Sequence, residues 1–159
     1  MVRILGSALA LALLSLIALG AGVSADRLDG AATGGRPLTA TLTGAAEVTA
    51  AGVPNQGDLD GTGTARVTLN PGQGTVCFAL TTTGIATPTR GHIHAAPAGA
   101  NGPIVIDFFN GNTTAGPLSG CVAGVDRDLI LDILRNPEQY YVNVHNTDFP
   151  AGALRGQLG

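Results

Sequence analysis

The chain has 159 residues, a formal net charge of −3 and eight basic residues, all of which are Arg. The absence of Lys excludes Schiff-base chemistry and a Walker-type phosphate loop. The net negative charge, without any basic run, argues against nucleic-acid binding. Ser119 is the only serine beyond residue 25, and it does not lie in a Gly-x-Ser-x-Gly motif, so a serine hydrolase is not expected.

The first 25 residues have the pattern of a secretory signal peptide. Arg3 precedes an apolar run over residues 4–19, and small residues lead up to Ala25. The run is short for a membrane-spanning helix, so we expect cleavage after Ala25 and a secreted product without a membrane anchor. Residues 26–37 show no apolar periodicity and are predicted to form a disordered lead-in.

From residue 38 onwards, β signals dominate the chain. Alternating apolar residues, separated by turns rich in Gly, Pro and Asn, predict short strands at 38–43, 62–69, 75–82, 90–94, 103–109, 140–145 and 153–158. The segment 110–120 is predicted to be a loop. Seven or eight short strands are typical of an all-β antiparallel sandwich or Greek-key barrel.

Residues 126–135 break this pattern. Ile130 and Ile133, with a leucine beside each, have helical spacing, and Asp126 is a candidate N-cap. We therefore predict one short helix that lies over the end of the β structure.

The chain contains two cysteines, Cys77 and Cys121. Secretion into an oxidising compartment favours a disulfide between them. A catalytic thiol is the alternative, and it would need a nearby base.

The three histidines are the most concentrated chemistry in the sequence. His92 and His94 flank Ile93, so strand geometry places both imidazoles on the face opposite Ile93. His145 ends the strand 140–145 on the side opposite its expected core residues. If these two strands are neighbours, three imidazoles meet outside the barrel wall.

Three neutral imidazoles at such spacing suit copper or zinc. Asp107 is expected to point outward from strand 103–109, where it is a candidate ligand or an acceptor for a ligating imidazole. The alternative is that His92, His94 and His145 are polar strand residues that hydrogen-bond to loops and bind no metal.

These segments resemble the CHRD domain, a module named after chordin and also found in bacterial secreted proteins. Residues 91–94 followed by 99–107 resemble its core signature, and residues 140–145 with 152–158 resemble its closing signature. Residues 38–48 resemble its opening strand, with Glu47 at the acidic position of the family. The resemblance assigns residues 38–159 to one CHRD domain.

The resemblance implies an immunoglobulin-like β-barrel similar to that of Cu,Zn superoxide dismutase, and no established enzymatic activity. It favours a secreted interaction module with an extracellular or cell-surface partner. The alternative function is a copper- or zinc-binding protein that uses the three histidines. Dismutase-like redox activity ranks below it, because the bridging-His region and a recognisable catalytic-Arg motif are absent. Arg155 is instead expected to be a strand-end residue paired with an acid.

Overall fold

The computed structural model describes residues 34–111 and 117–159. The predicted signal peptide (1–25) and residues 26–33 of the lead-in lie outside this range. The strands are β1 (Arg36–Thr43), β2 (Thr62–Asn70), β3 (Thr75–Thr83), β4 (Arg90–Ala95), β5 (Ile104–Asn110), β6 (Leu118–Ala123), β7 (Tyr140–His145) and β8 (Leu154–Gln157).

These eight strands form one sheet in the order β5-β4-β7-β8-β1-β2-β3-β6, and the neighbours are antiparallel. The sheet curls on itself until its end strands β5 and β6 approach each other, which gives a nearly closed barrel. The predicted all-β antiparallel sandwich or barrel with one short helix is confirmed.

The core of the barrel is filled from alternate strand positions. In β2, Ala65, Val67 and Leu69 are buried, as the period-two pattern predicts. The ring of Phe78 on β3 stacks on that of Phe108 on β5, with the ring centroids 4.5 Å apart, and so joins distant strands of the sheet.

The predicted helix is present as α1 (Arg127–Arg135). The Asp126 carboxylate accepts hydrogen bonds from the backbone N–H groups of Asp128 and Leu129, which confirms the N-cap. Ile130 and Ile133 are fully buried in the main core. Within the described parts of the chain, no helix has the length and hydrophobicity needed to cross a membrane.

Two expectations about strand bounds were wrong. β6 begins at Leu118, inside the segment predicted to be a loop. Its short sequence contains Ser and Gly and has no clear strand pattern, and it forms a strand because it pairs with β3. β1 begins at Arg36, two residues before the expected start, because Arg36 and Pro37 stand opposite Leu69 and Thr68 of β2.

The disulfide is confirmed. Cys77 on β3 is bonded to Cys121 on β6, its directly opposed partner in the sheet. The bond ties β6, an end strand, to the rest of the barrel, and no free cysteine remains.

Candidate metal centre

The three histidines are brought together by the pairing of β4 with β7. His92 stands opposite Asn143, His94 opposite Tyr141, and His145 opposite Arg90. One ring nitrogen from each histidine lies within 4.8 Å of those of the other two. The sequence placed the histidines on one side of two strands, and the sheet order makes those strands neighbours.

The histidines lie on the side of the sheet away from the core, as expected, but His92 and His145 are buried and His94 is partly buried. The exposed fraction is 2% for His92 and 7% for His145. Two loops cover them, one between β4 and β5 and the other between β7 and β8, and each loop contributes a backbone carbonyl to an imidazole. Strand periodicity indicates the face of a residue but not what packs over that face.

The loop carbonyls determine which ring nitrogens carry protons. His94 Nδ1 donates to the Gly102 carbonyl at 2.9 Å, and His145 Nδ1 donates to the Pro150 carbonyl at 3.0 Å. A carbonyl oxygen can only accept, so Nε2 of each neutral ring keeps its lone pair. Metal-bound histidines are held in this way, with the second nitrogen donating to a carbonyl or carboxylate.

His92 is the third histidine of the cluster. Its Nδ1 lies 3.2 Å from His145 Nε2, and because that atom carries a lone pair, His92 Nδ1 is the donor. On the other side of the ring, His92 Nε2 lies 3.8 Å from Asp107 Oδ1. Metal binding at Nδ1 requires the other tautomer of His92, in which the proton sits on Nε2 and faces the Asp107 carboxylate.

The structure places Asp107 on the outward side of β5, directly opposite His92 in the sheet. Its side chain is 52% exposed, and its carboxylate faces the second nitrogen of His92. This position suits an acceptor that orients a ligating imidazole, because the grouped ligand atoms are all histidine nitrogens.

His94 Nε2 is the one buried side-chain nitrogen or oxygen without a hydrogen-bond partner in residues 34–111 and 117–159. Leaving a buried polar atom unsatisfied costs about 1–3 kcal/mol, so such an atom calls for an explanation. A metal ion in the cluster would satisfy its lone pair.

The electrostatics keep the three rings neutral. Burial lowers the pKa of His92 and of His94, and it lowers the pKa of His145 to about 4. At His92 the charge of Asp107 raises the pKa and is a larger influence than the positive charge of Arg90, which lowers the pKa of both His92 and His145. Neutral imidazole is the form that binds metal, so protons compete little at neutral pH.

A cluster of polar side chains around Tyr141 continues the histidine face. The ring of Tyr141 stacks on His94, with the centroids 4.8 Å apart and an interplanar angle of 7°. The Arg155 guanidinium carbon lies 3.5 Å from the centroid of the Tyr141 ring. Arg155 is 1% exposed, the largest fully buried side chain in the described residues.

The expectation that Arg155 pairs with an acid was wrong, because the main contacts of Arg155 are with neutral acceptors. Its guanidinium donates to Asn101 Oδ1 at 3.1 Å and to the backbone carbonyls of Pro97 and Ala100 at 3.0 and 2.7 Å. These acceptors all belong to the loop between β4 and β5, so Arg155 holds in place the loop whose Gly102 carbonyl orients His94.

Glu47 lies over the same face and is 5% exposed. Burial raises the pKa of Glu47 to about 7, although the charge of Arg155 and a hydrogen bond donated by Asn143 act in the opposite direction. Gly152 is required beside it: its φ is 149°, and a Cβ there would come within 2.6 Å of the Glu47 carboxyl.

Comparison with known protein families identifies the family of this chain. A family model described as CHRD domain matches residues 38–158, nearly all of the described chain. No curated protein and no solved structure matches the chain.

Proposed function

This chain belongs to the CHRD domain family, and we propose that it is a secreted binding module whose three-histidine cluster holds a copper or zinc ion. The observation that carries the proposal is the grouping of one ring nitrogen from each histidine within 4.8 Å. All three histidines of the sequence take part in this group.

The geometry is close to that of a metal centre. With metal–nitrogen bonds of about 2.0 Å, ligand nitrogens around a tetrahedral ion lie about 3.3 Å apart. His92 Nδ1 and His145 Nε2 are already 3.2 Å apart. All the grouped nitrogens lie within 4.8 Å of one another, so the binding of one ion requires ring movements that shorten the widest separation.

Secretion is supported by the signal pattern of residues 1–25 and by the disulfide, which is favoured in an oxidising compartment. We expect N-terminal sequencing of protein recovered from the extracytoplasmic fraction to begin at Asp26. Recovery of the chain with an intact Met1 in the cytoplasm would contradict this assignment.

A second candidate ligand is an extracellular or cell-surface protein, and it is supported by the family match over residues 38–158. This candidate and the metal site are compatible, because a metal held inside a module can stabilise the surface that binds a partner. A dismutase-like redox reaction ranks below both, since a buried three-nitrogen cluster offers no evident open coordination position.

The proposal is tested by titrating the metal-free protein with Zn²⁺ and with copper and measuring the bound metal by elemental analysis after gel filtration. We expect one ion per wild-type chain and less than a tenth of that in the His92→Ala/His94→Ala variant. The matched control is Thr64→Ala/Thr81→Ala, which removes a hydrogen-bonded pair on an exposed strand face elsewhere.

Retention of the disulfide and of the far-ultraviolet circular dichroism spectrum checks that each variant is folded. His94→Gln, which keeps a polar side chain of similar length, provides a milder second variant. If the wild type binds neither metal better than the folded histidine variants do, the metal-binding function is wrong.

A further inference from the structure

The ligand set of the cluster can be assigned atom by atom. The carbonyls of Gly102 and Pro150 occupy Nδ1 of His94 and His145, which leaves their Nε2 atoms to bind an ion. His92 faces the cluster with Nδ1 and faces Asp107 with Nε2. Three nitrogen ligands are therefore available, and each imidazole has an acceptor for its other nitrogen.

The ligand atoms of the cluster are shielded from solvent, although the His94 side chain as a whole is partly exposed. His94 Nε2 is buried and has no protein partner, and His92 and His145 are almost completely covered. Zn²⁺ and Cu²⁺ bound by three histidines take at least one more ligand, usually water. The d¹⁰ cuprous ion is satisfied by three nitrogen ligands in a plane and needs no water.

The charges around the cluster favour a monovalent ion. Arg90 donates to the Pro150 carbonyl at 3.1 Å, the same carbonyl that holds His145. Arg155 lies over Tyr141, which in turn stacks on His94. Both guanidinium groups lie close to the cluster, and their positive field opposes a dication more strongly than a monocation.

Nearby negative charge is small. Asp107 is half exposed, so solvent screens part of its charge, and the Glu47 carboxyl bonds to Asn143 and is not among the grouped ligand atoms. A buried dication needs anionic ligands or solvent to offset its desolvation, and the cluster supplies neither among the grouped ligand atoms.

We infer that the histidine cluster selects the cuprous ion and binds it through His92 Nδ1, His94 Nε2 and His145 Nε2 in a closed, three-coordinate site. The inference rests on the metal-binding function proposed above and narrows it. In this role the protein binds Cu⁺ and does not catalyse a reaction at a metal with an open coordination position.

The test compares Cu⁺ and Zn²⁺ on the metal-free full chain at pH 7. The affinity for Cu⁺ is measured without oxygen by competition with bicinchoninate, and that for Zn²⁺ by competition with a chromophoric chelator. X-ray absorption of the copper complex gives the coordination number. We expect Cu⁺ to bind one per chain and at least 100-fold more tightly than Zn²⁺, with three nitrogen neighbours.

Arg90→Gln tests the role of charge, with Arg66→Gln, an exposed arginine on β2, as the matched control. Removing the charge of Arg90 is expected to narrow the ratio of the Cu⁺ to the Zn²⁺ affinity at least threefold, whereas Arg66→Gln leaves the ratio unchanged.

The outcomes separate the two proposals. If neither ion binds, the metal-binding function fails and the cuprous assignment fails with it. If Zn²⁺ binds as tightly as Cu⁺, or if the copper has four or more neighbours, the cuprous assignment is overturned while the metal-binding function stands.

Discussion

Asp107 Oδ1 lies 3.8 Å from His92 Nε2, across the pairing of β4 with β5. The carboxylate stands behind an imidazole whose other nitrogen points at His145. A carboxylate in this position fixes the ring orientation and increases the basicity of the nitrogen that binds metal. Asp107 thus connects the half-exposed surface of β5 to the buried histidine cluster.

Asp107→Asn is expected to weaken copper binding by about 10–100-fold, because an amide is a poorer acceptor than a carboxylate for His92 Nε2–H. The matched control, Asp128→Asn, removes an exposed carboxylate from the first turn of α1 and should leave the affinity unchanged. Competition titration of both variants measures the effect. If the two variants bind copper with equal affinity, Asp107 does not act on the site.

Arg155→Gln should destabilise the fold by about 3 kcal/mol, since it removes a buried cation and leaves the carbonyls of Pro97 and Ala100 without their donor. Urea denaturation measures the loss, and hydrogen exchange at residues 97–102 should become faster. Arg66→Gln on the exposed face of β2 serves as the comparison. A loss no larger than that of Arg66→Gln would refute the role of Arg155 as the anchor of this loop.

Glu47→Gln should remove a pH dependence of stability. Burial raises the pKa of Glu47 from its ordinary value of 4.5 to about 7 in the folded state. The folded chain therefore holds this proton more tightly, and the stability that it contributes is complete below pH 4.5 and is lost as the pH rises through 7. The full difference is about 3 kcal/mol.

The measurement is urea denaturation of metal-free wild type and variant at pH 4.5 and pH 8. Relative to the wild type, Glu47→Gln should gain stability at the higher pH, whereas the exposed Glu138→Gln should not. The comparison with the wild type cancels the opposite trend of the histidines, whose lowered pKa values weaken the fold as the pH falls. If Glu47→Gln and the wild type differ in free energy of unfolding by the same amount at both pH values, the burial of an uncharged Glu47 is contradicted.

Cys77→Ser/Cys121→Ser should lower the free energy of unfolding by about 4 kcal/mol in the chain-entropy account, since the bond spans a sequence separation of 44. Guanidinium denaturation measures the change. The control variant is Ala79→Ser/Ser119→Ala, which swaps the side chains of an opposed pair on the same two strands. Two reactive thiols in unreduced, denatured wild type, or equal stabilities of the two variants, would argue against the disulfide.

The sequence predicted the faces of the strands well. Alternation around Ile93 placed His92 and His94 together, because side chains two apart in a strand share a face whatever the strand pairs with. Their meeting with His145, which lies 53 residues after His92, depends on β4 lying next to β7, and local periodicity does not determine that pairing. The burial of the cluster likewise depends on two loops without periodic patterns.

Arg155 and Glu47 could not be found by pattern. Arg155 reaches Asn101 over a sequence separation of 54, and Asn143 reaches Glu47 over 96. A charged residue in a short strand or a loop predicts an exposed position, and only the long-range packing of Arg155 against the loop 96–103 and of Glu47 against Asn143 makes these two positions buried. β6 was missed for a related reason: it is a strand because it pairs with β3, and its own short sequence does not show that pairing.

The most direct test of the metal site is a crystal structure of the copper-loaded protein with anomalous data collected at the copper edge. We expect one strong anomalous peak about 2 Å from each of His92 Nδ1, His94 Nε2 and His145 Nε2, with Asp107 within hydrogen-bonding distance of His92 Nε2. A copper-loaded crystal with no peak between these three atoms, or with its strongest peak elsewhere on the chain, would contradict it.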